Sequence, residues 1–230
     1  MSIVRNILYS TLVVLLGTMG VTSCSESNDT WDPYYNWQER NAQWYDEIAD
    51  SARTAIAEAK TLYGEDGWEE HCDWRMYKTL LKSQDVNTGK TTDSICVHIV
   101  NRGTGDYSPT YSDTVRVSFR GWLMNTQYVD DEQNKYEEMS VFTQTYYGPF
   151  DASTAAPSLL GVNKNIDGYA TALQYMVQGD DWMVYIPQTL AYGSDAKGTI
   201  PAYSTLLFRI HLAAVYPVNS GIPGWKVRGK

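Results

Sequence analysis

Hydrophobic positions along this chain repeat with two different periods, and the change of period divides it. Trp37, Trp44, Tyr45, Ile48, Ala52, Ala55, Ile56, Ala59 and Leu62 recur at helical intervals. That spacing predicts one amphipathic helix running from Asp32-Pro33 to Tyr63. Asn36 stands where a cap is expected, and Glu39 would complete a capping box with it. Gly64 is the expected stop. The period requires one face of this helix to be buried but does not name what covers it. A second copy is one candidate. The helix's own domain is the expected one, because the stripe narrows to alanines, which allow close packing on a sheet.

After a polar connection, Glu65 to Asp73, the period drops to two. Trp74 to Ser83 reads as a first strand anchored by Met76, Leu80 and Leu81, with a turn over Val86 to Thr92. Ser94 to Asn101 is a continuous strand signal. Gly103, Gly105 and Pro109 mark a loop. Val115, Val117 and Phe119 then alternate with Arg116, Ser118 and Arg120, the pattern of a sheet with one face buried and one wet. Met124 to Met139 is polar and acidic and reads as a solvated loop or hairpin. A strand signal resumes at Val141-Phe142, and a loop runs from Tyr146 to Pro157. The last third packs short elements between Gly and Pro: a helix over Tyr169 to Met176, a strand over Trp182 to Ile186 ended by Pro187, and a loop from Leu190 to Pro201. Thr205 to Val215 is the longest strand signal.

The N-terminus has a different character. Arg5 precedes an uncharged apolar run, Ile7 to Val21, too short for a comfortable membrane span and patterned as a secretory signal. Thr22-Ser23 then leads to Cys24. A cysteine directly after small residues resembles a bacterial lipobox and makes Cys24 the expected lipid attachment point; cleavage nearby, with Cys24 a free thiol, is the alternative. Ser25 to Asp29 would be an acidic tether. An exported compartment permits a disulfide between the remaining Cys72 and Cys96, but two separate thiols are equally compatible with the sequence.

Charge and composition exclude several functions. Lys and Arg number 18 against 27 Asp and Glu, for a net charge of −9. No basic run is present, so nucleic acid is not an expected partner. His71, His98 and His211 lack companions at ligand spacing, which argues against a metal site. There is no G-x-S-x-G and no phosphate-cradling glycine loop.

The order of motifs in the last third carries the strongest signal. Ile166 to Met176 (I-x-G-Y-x-x-A-L-x-x-M), Gly179 to Pro187 (G-D-x-W-x-V-x-I-P), Leu190 to Gly193 (L-A-Y-G) and Ile200 to Phe208 (I-P-x-x-S-T-L-x-F) resemble the FKBP-type peptidyl-prolyl cis-trans isomerases. Asp113 to Leu123 resembles the strand before that family's flap. The resemblance runs from about Trp74 to Tyr216. It implies an α+β fold, a twisted antiparallel sheet wrapped around a short helix, with the N-terminal helix added. The expected divisions are a lipoprotein signal over 1–23, a tether and helical extension over 24–73, the FKBP-like domain over 74–217 and a tail over 218–230.

The resemblance also implies a site and a reaction. Phe119, Phe142, Ile166, Tyr169, Tyr192, Ile200 and Phe208 would line one aromatic pocket. Tyr169 would floor it, where the family usually has Trp. Ile166 would offer its backbone N–H, and Tyr192 its hydroxyl, to a bound peptide. Phe142 and Phe208 would wall the proline ring. Phe119 replaces a usual Tyr, Thr143 a usual Asp, and Ala156 lies near another usual aromatic. Plain core packing is the competing account of each aromatic, weakest for the loop residue Tyr192. The implied function is prolyl isomerisation in exported proteins, reduced by the smaller floor, with no cofactor. The N-terminal pattern makes the lipid-anchored envelope of a Gram-negative bacterium the expected setting, and the narrow helix stripe makes a monomer the expected state. A non-catalytic binding module that keeps the pocket, or a structural lipoprotein with the pocket filled, are the alternatives.

Overall fold

The computed structural model describes residues 32–82, 84, 89–129 and 135–226. Cys24, the signal and the tether lie outside the described residues. Helix α1 spans Trp37–His71. The strands are β1 (Trp74–Lys78), β2 (Ser94–Asn101), β3 (Thr114–Val129), β4 (Lys135–Gln144), β5 (Ser158–Gly161), β6 (Asp181–Ile186) and β7 (Leu206–Tyr216), with helix α2 (Asp167–Tyr175) between β5 and β6. Every strand pair is antiparallel, in the order β1-β2-β6-β7-β3-β4. β5 pairs with the start of β3, from Thr114 to Val117, and β4 with its remainder. This is the α+β arrangement that the resemblance implies.

The burial of β2 explains its unbroken apolar sequence. Ile95, Val97 and Ile99 point to the main core beneath α2, with Val184 and Ile186 of β6. Cys96 points the other way, into a second cluster with Tyr45, Ala49 and Ala52 of α1. This half of the sheet is covered on both faces, so its strands lose the alternation that a half-wet sheet shows. Close approach of α2 depends on Gly168, where an added Cβ would stand 2.3 Å from Ile186 Cγ2.

Helix α1 belongs to the same packed unit as the sheet. Polar contacts fix its register. The Trp37 indole donates to Ser204 Oγ (3.0 Å), and Asn41, fully buried, accepts from the Thr205 amide (2.8 Å) and donates to the Trp37 carbonyl (2.7 Å). Tyr45 donates its hydroxyl to the Ser94 carbonyl at 2.5 Å. The alanines sit where helix and sheet come closest, as expected of an intramolecular packing.

Four local expectations are corrected. Asn36 does not cap α1; it adopts a left-handed conformation (φ 49°) and its side chain makes no capping bond. The turn before the helix is closed instead by Asp32, whose carboxylate accepts from the Tyr34 amide (2.8 Å). Gly64 (φ 77°, ψ 172°) kinks the helix rather than ending it, and Glu65 to His71 continue as helix. The continuation is held by Arg75 of β1, which donates to the Glu69 and Cys72 carbonyls (2.5 and 2.8 Å) and lies over Trp68 at 4.6 Å. A cation at a helix C-terminus satisfies open carbonyls and complements their partial charge. Leu62 of the predicted stripe is 74% exposed, and β1 ends at Lys78, leaving Leu80 and Leu81 largely in solvent. Of the two alternatives for Cys72 and Cys96, the structure has separate buried thiols: Cys96 faces Tyr45 (3.5 Å), whereas Cys72 turns to the Trp74 carbonyl.

The polar segment after Met124 forms a hairpin in which β3 runs to Val129 and β4 returns from Lys135. Beyond the sheet, the Asp113 carboxylate accepts from the Val218 amide (2.9 Å) and so ties the C-terminal segment to the start of β3.

Candidate functional site

The site is built where β3, β4 and β7 meet the start of α2. Gly121 on β3 pairs with Phe208 on one side and with Thr143 on the other. The next pair on the β4 side is Trp122 with Val141, so Phe142 is the extra residue of a β-bulge. A bulge re-aims a side chain and bends its strand. Here it brings Phe142 against Phe208, edge to face, at 5.3 Å between centroids. The two rings converge over Gly121, where an added Cβ would lie 2.7 Å from both.

Tyr169, on the first turn of α2, forms the floor. It is 4% exposed and meets Phe208 at 5.0 Å and Phe119 at 6.2 Å, both edge to face. Its hydroxyl has no hydrogen-bond partner among the described residues, and burial raises its pKa far above that of an ordinary phenol. Ile166 precedes α2 in an extended conformation (φ −62°, ψ 153°). Its carbonyl accepts from Ala170 (2.9 Å), and its amide donates to no group among the described residues. Tyr192 follows a short 3-10 turn, Gln188–Leu190. The loop holding it is closed by the Tyr203 amide donating to the Gly193 carbonyl (2.7 Å). The Tyr192 side chain is half-buried, and its hydroxyl is likewise unpartnered among the described residues.

These residues share one open cavity of about 630 Å³, lined by Phe119, Phe142, Ile166, Tyr169, Tyr192, Ile200 and Phe208 together with Thr143, Leu160, Lys164, Asn165 and Lys197. All seven residues expected from the sequence are therefore brought together. The last five are additions, although Thr143 had stood out as a departure from the family's pattern. Leu160, Lys164 and Asn165 come from β5 and the turn after it, a stretch with no motif of its own. Lys197 comes from the loop before Ile200. Ala156 is outside the lining. Phe150 also lies elsewhere, against Tyr146 and His211, with Arg209 over its ring at 5.2 Å.

Chemically, the arrangement is a ring-lined concavity to which the Ile166 amide and the Tyr192 hydroxyl bring donors with no partner among the described residues. Sites of this type recognise small apolar groups through area and fix orientation with few polar contacts. Among the described residues, no carboxylate lines it.

Residues 105–213 match the family model described as FKBP-type peptidyl-prolyl cis-trans isomerase. The outer membrane protein MIP of Legionella longbeachae is 32% identical over 118 residues, 51% of this chain and 42% of that protein. The FKBP-type 22 kDa peptidyl-prolyl cis-trans isomerase of Escherichia coli strain K12 is 30% identical over 135 residues, 58% of this chain and 55% of that protein. A solved peptidyl-prolyl cis-trans isomerase from Pseudomonas syringae pv. tomato aligns over 74% of this chain and 95% of its own, at 22% identity and a TM-score of 0.43. The chain spans between 42% and 62% of the length of these curated relatives and of a macrophage infectivity potentiator from Trypanosoma cruzi.

Proposed function

Because residues 105–213 are an FKBP-type domain, we propose that the protein is a peptidyl-prolyl cis-trans isomerase whose active site is the aromatic pocket over Tyr169. One observation carries this reading. The seven residues placed in the pocket by family resemblance line a single cavity, and the two donors meant for a peptide are unspent.

The reaction asks little of the protein beyond such a pocket. The X–Pro amide resists rotation because the nitrogen lone pair is delocalised into the carbonyl, a barrier of roughly 18–20 kcal/mol. Unassisted exchange takes tens to hundreds of seconds, as a rough scale. The planar amide is more polar than the twisted one. A dry aromatic surround destabilises the planar form relative to the twisted one. Phe142, Phe208 and Tyr169 would hold the proline ring, and the Ile166 amide and Tyr192 hydroxyl would hold peptide carbonyls to either side. Binding that favours the twisted geometry over both planar ones lowers the barrier. No covalent intermediate and no proton transfer is involved.

The clients we propose are exported proteins of a Gram-negative cell envelope, reached by a chain anchored through lipid on Cys24. The apolar run before that cysteine supports the anchor. The relative named outer membrane protein MIP supports the envelope setting.

A second reading has its own observation. Tyr169 offers a smaller floor than the indole usual in the family, and Thr143 stands in place of a carboxylate. A pocket so altered can bind proline segments without speeding their exchange. Two-dimensional NMR exchange spectroscopy on an X–Pro peptide with substoichiometric protein separates the two. Cis–trans exchange cross-peaks that grow with protein concentration establish the enzyme. Peptide shifts that saturate with no exchange establish the binding module.

A further inference from the structure

The mouth of the pocket carries charge opposite in sign to the protein as a whole. The chain bears a net charge of −9, yet Lys164 and Lys197 line the cavity and, among the described residues, no carboxylate does. Both lysines are exposed, and neither enters an ion pair among the described residues. Both stand on turns that fix their backbone. Lys164 ends a 3-10 turn, Val162–Lys164, and the side-chain Nδ2 of the following Asn165 donates back to the Gly161 and Val162 carbonyls at 2.8 and 3.2 Å. Lys197 is joined to Ile200 by two backbone hydrogen bonds of 2.8 and 3.0 Å. The first lysine therefore lies just before the unspent Ile166 amide, and the second lies between Tyr192 and Ile200. Lysines kept only for solubility need share no location, whereas these two rim one cavity.

Building on the reading of this cavity as a prolyl-peptide site, we propose that Lys164 and Lys197 select X–Pro segments carrying Asp or Glu beside the proline. A peptide seated in the cavity meets a wall to which both lysines contribute, and exposed charges act over the Debye length, roughly 8 Å at physiological ionic strength. Among the described residues, no carboxylate lines the pocket to neutralise them. A basic neighbour of proline is repelled by the same two charges, so discrimination comes from both signs. Exposed charge pairs are individually weak, about twofold to fivefold each in affinity, so the two together should separate an acidic from a basic peptide by about tenfold.

The test uses the full-length protein at low ionic strength and peptides Ala-Xaa-Pro-Phe with Xaa as Glu, Leu or Lys, plus Ala-Leu-Pro-Glu. Binding is followed by chemical-shift titration and exchange by NMR, so that preference is read even if turnover fails. The expected result is a Glu-over-Lys preference of about tenfold that shrinks with added salt. It should fall to near parity in a Lys164→Gln/Lys197→Gln variant whose melting curve matches the wild type. Equal handling of the Glu and Lys peptides, or a preference that survives in the double variant, overturns the inference. Charge-blind acceleration removes this inference and leaves the isomerase standing. Charge-dependent binding without acceleration does the reverse. A protein that neither binds nor accelerates any of the peptides ends both.

Discussion

At the scale of single residues, the site combines groups the sequence marks clearly with groups it does not mark at all. Phe208 and Tyr192 were legible because they sit inside ordered motifs. Leu160 and Lys197 were not, because their place in the lining depends on β5 pairing with β3 and on the turn before Ile200. Tyr169 shows a cost that sequence alone does not reveal. Its hydroxyl is buried without a partner, and an unsatisfied buried donor costs about 1–3 kcal/mol. Tyr169→Phe removes that cost while keeping the ring, so the variant should be more stable than the wild type by about 1 kcal/mol in urea unfolding. A loss of stability would mean that the hydroxyl has a role the packing does not suggest. Asp113 makes a pH prediction. Burial raises its pKa, but donation from the Thr110 amide, the Tyr107 hydroxyl and the Val218 amide outweighs this, and the net shift is downward from 3.8. A carboxylate depressed on folding stabilises the fold fully above its unfolded pKa and loses that contribution as pH falls through the folded one. Asp113→Asn should thus cost about 1–3 kcal/mol near neutrality. The gap in melting temperature between variant and wild type should narrow as pH falls below 3.8. A gap that is constant down to strong acid would reject the charge as its cause.

At the scale of elements, the strand signals of β2, β6 and β7 translated into the observed sheet with small shifts, because period two and the Gly and Pro breaks both survive in the fold, whereas β5 had no signal and β3 and β4 extend well into the polar segment. The remaining differences lie at the ends of α1 and of β1. The extension of α1 past Gly64 depends on Arg75, which is remote in the helix pattern and reaches its carbonyls only once β1 is in place. Asn41 broke the apolar stripe in sequence and yet is among the most buried residues of the helix, because it supplies the bond that the Thr205 amide needs. The β3–β4 bulge is the element that makes the pocket, and although its partner Gly121 lies inside the matched Asp113–Leu123 segment, the bulge opposite it left no mark in the sequence. Gly121→Ala would drive a methyl group into Phe142 and Phe208, each 2.7 Å away. Overpacking of this kind costs about 1–3 kcal/mol. The sheet should survive, so the far-ultraviolet spectrum should match the wild type while peptide affinity falls at least about tenfold as the walls separate. Retention of wild-type affinity would show that the two rings do not need their present approach.

At the scale of the whole molecule, α1 is a structural part of the domain: its buried stripe is spent on Ser204, Thr205, Ser94 and the second core cluster. The stripe of α1 is thus turned to its own sheet, which the helical period alone could not decide. The chain should therefore be monomeric by light scattering. Cys24→Ala should move it from the membrane fraction to the soluble one in that state. Membrane retention without Cys24, or a dimer at all concentrations, would contradict this. The pocket itself was the most legible feature of the molecule, since resemblance in motif order outlived the substitutions at Phe119, Tyr169 and Thr143. Whether those substitutions leave a working catalyst is settled most directly by refolding a substrate protein whose slow phase is limited by a prolyl bond, with the full-length protein present. The account predicts that the slow phase quickens in proportion to the added protein and that Phe208→Ala, checked by its melting curve to be folded, abolishes most of the gain. An unchanged slow phase at equimolar protein, or equal acceleration by the Phe208→Ala variant, would contradict it.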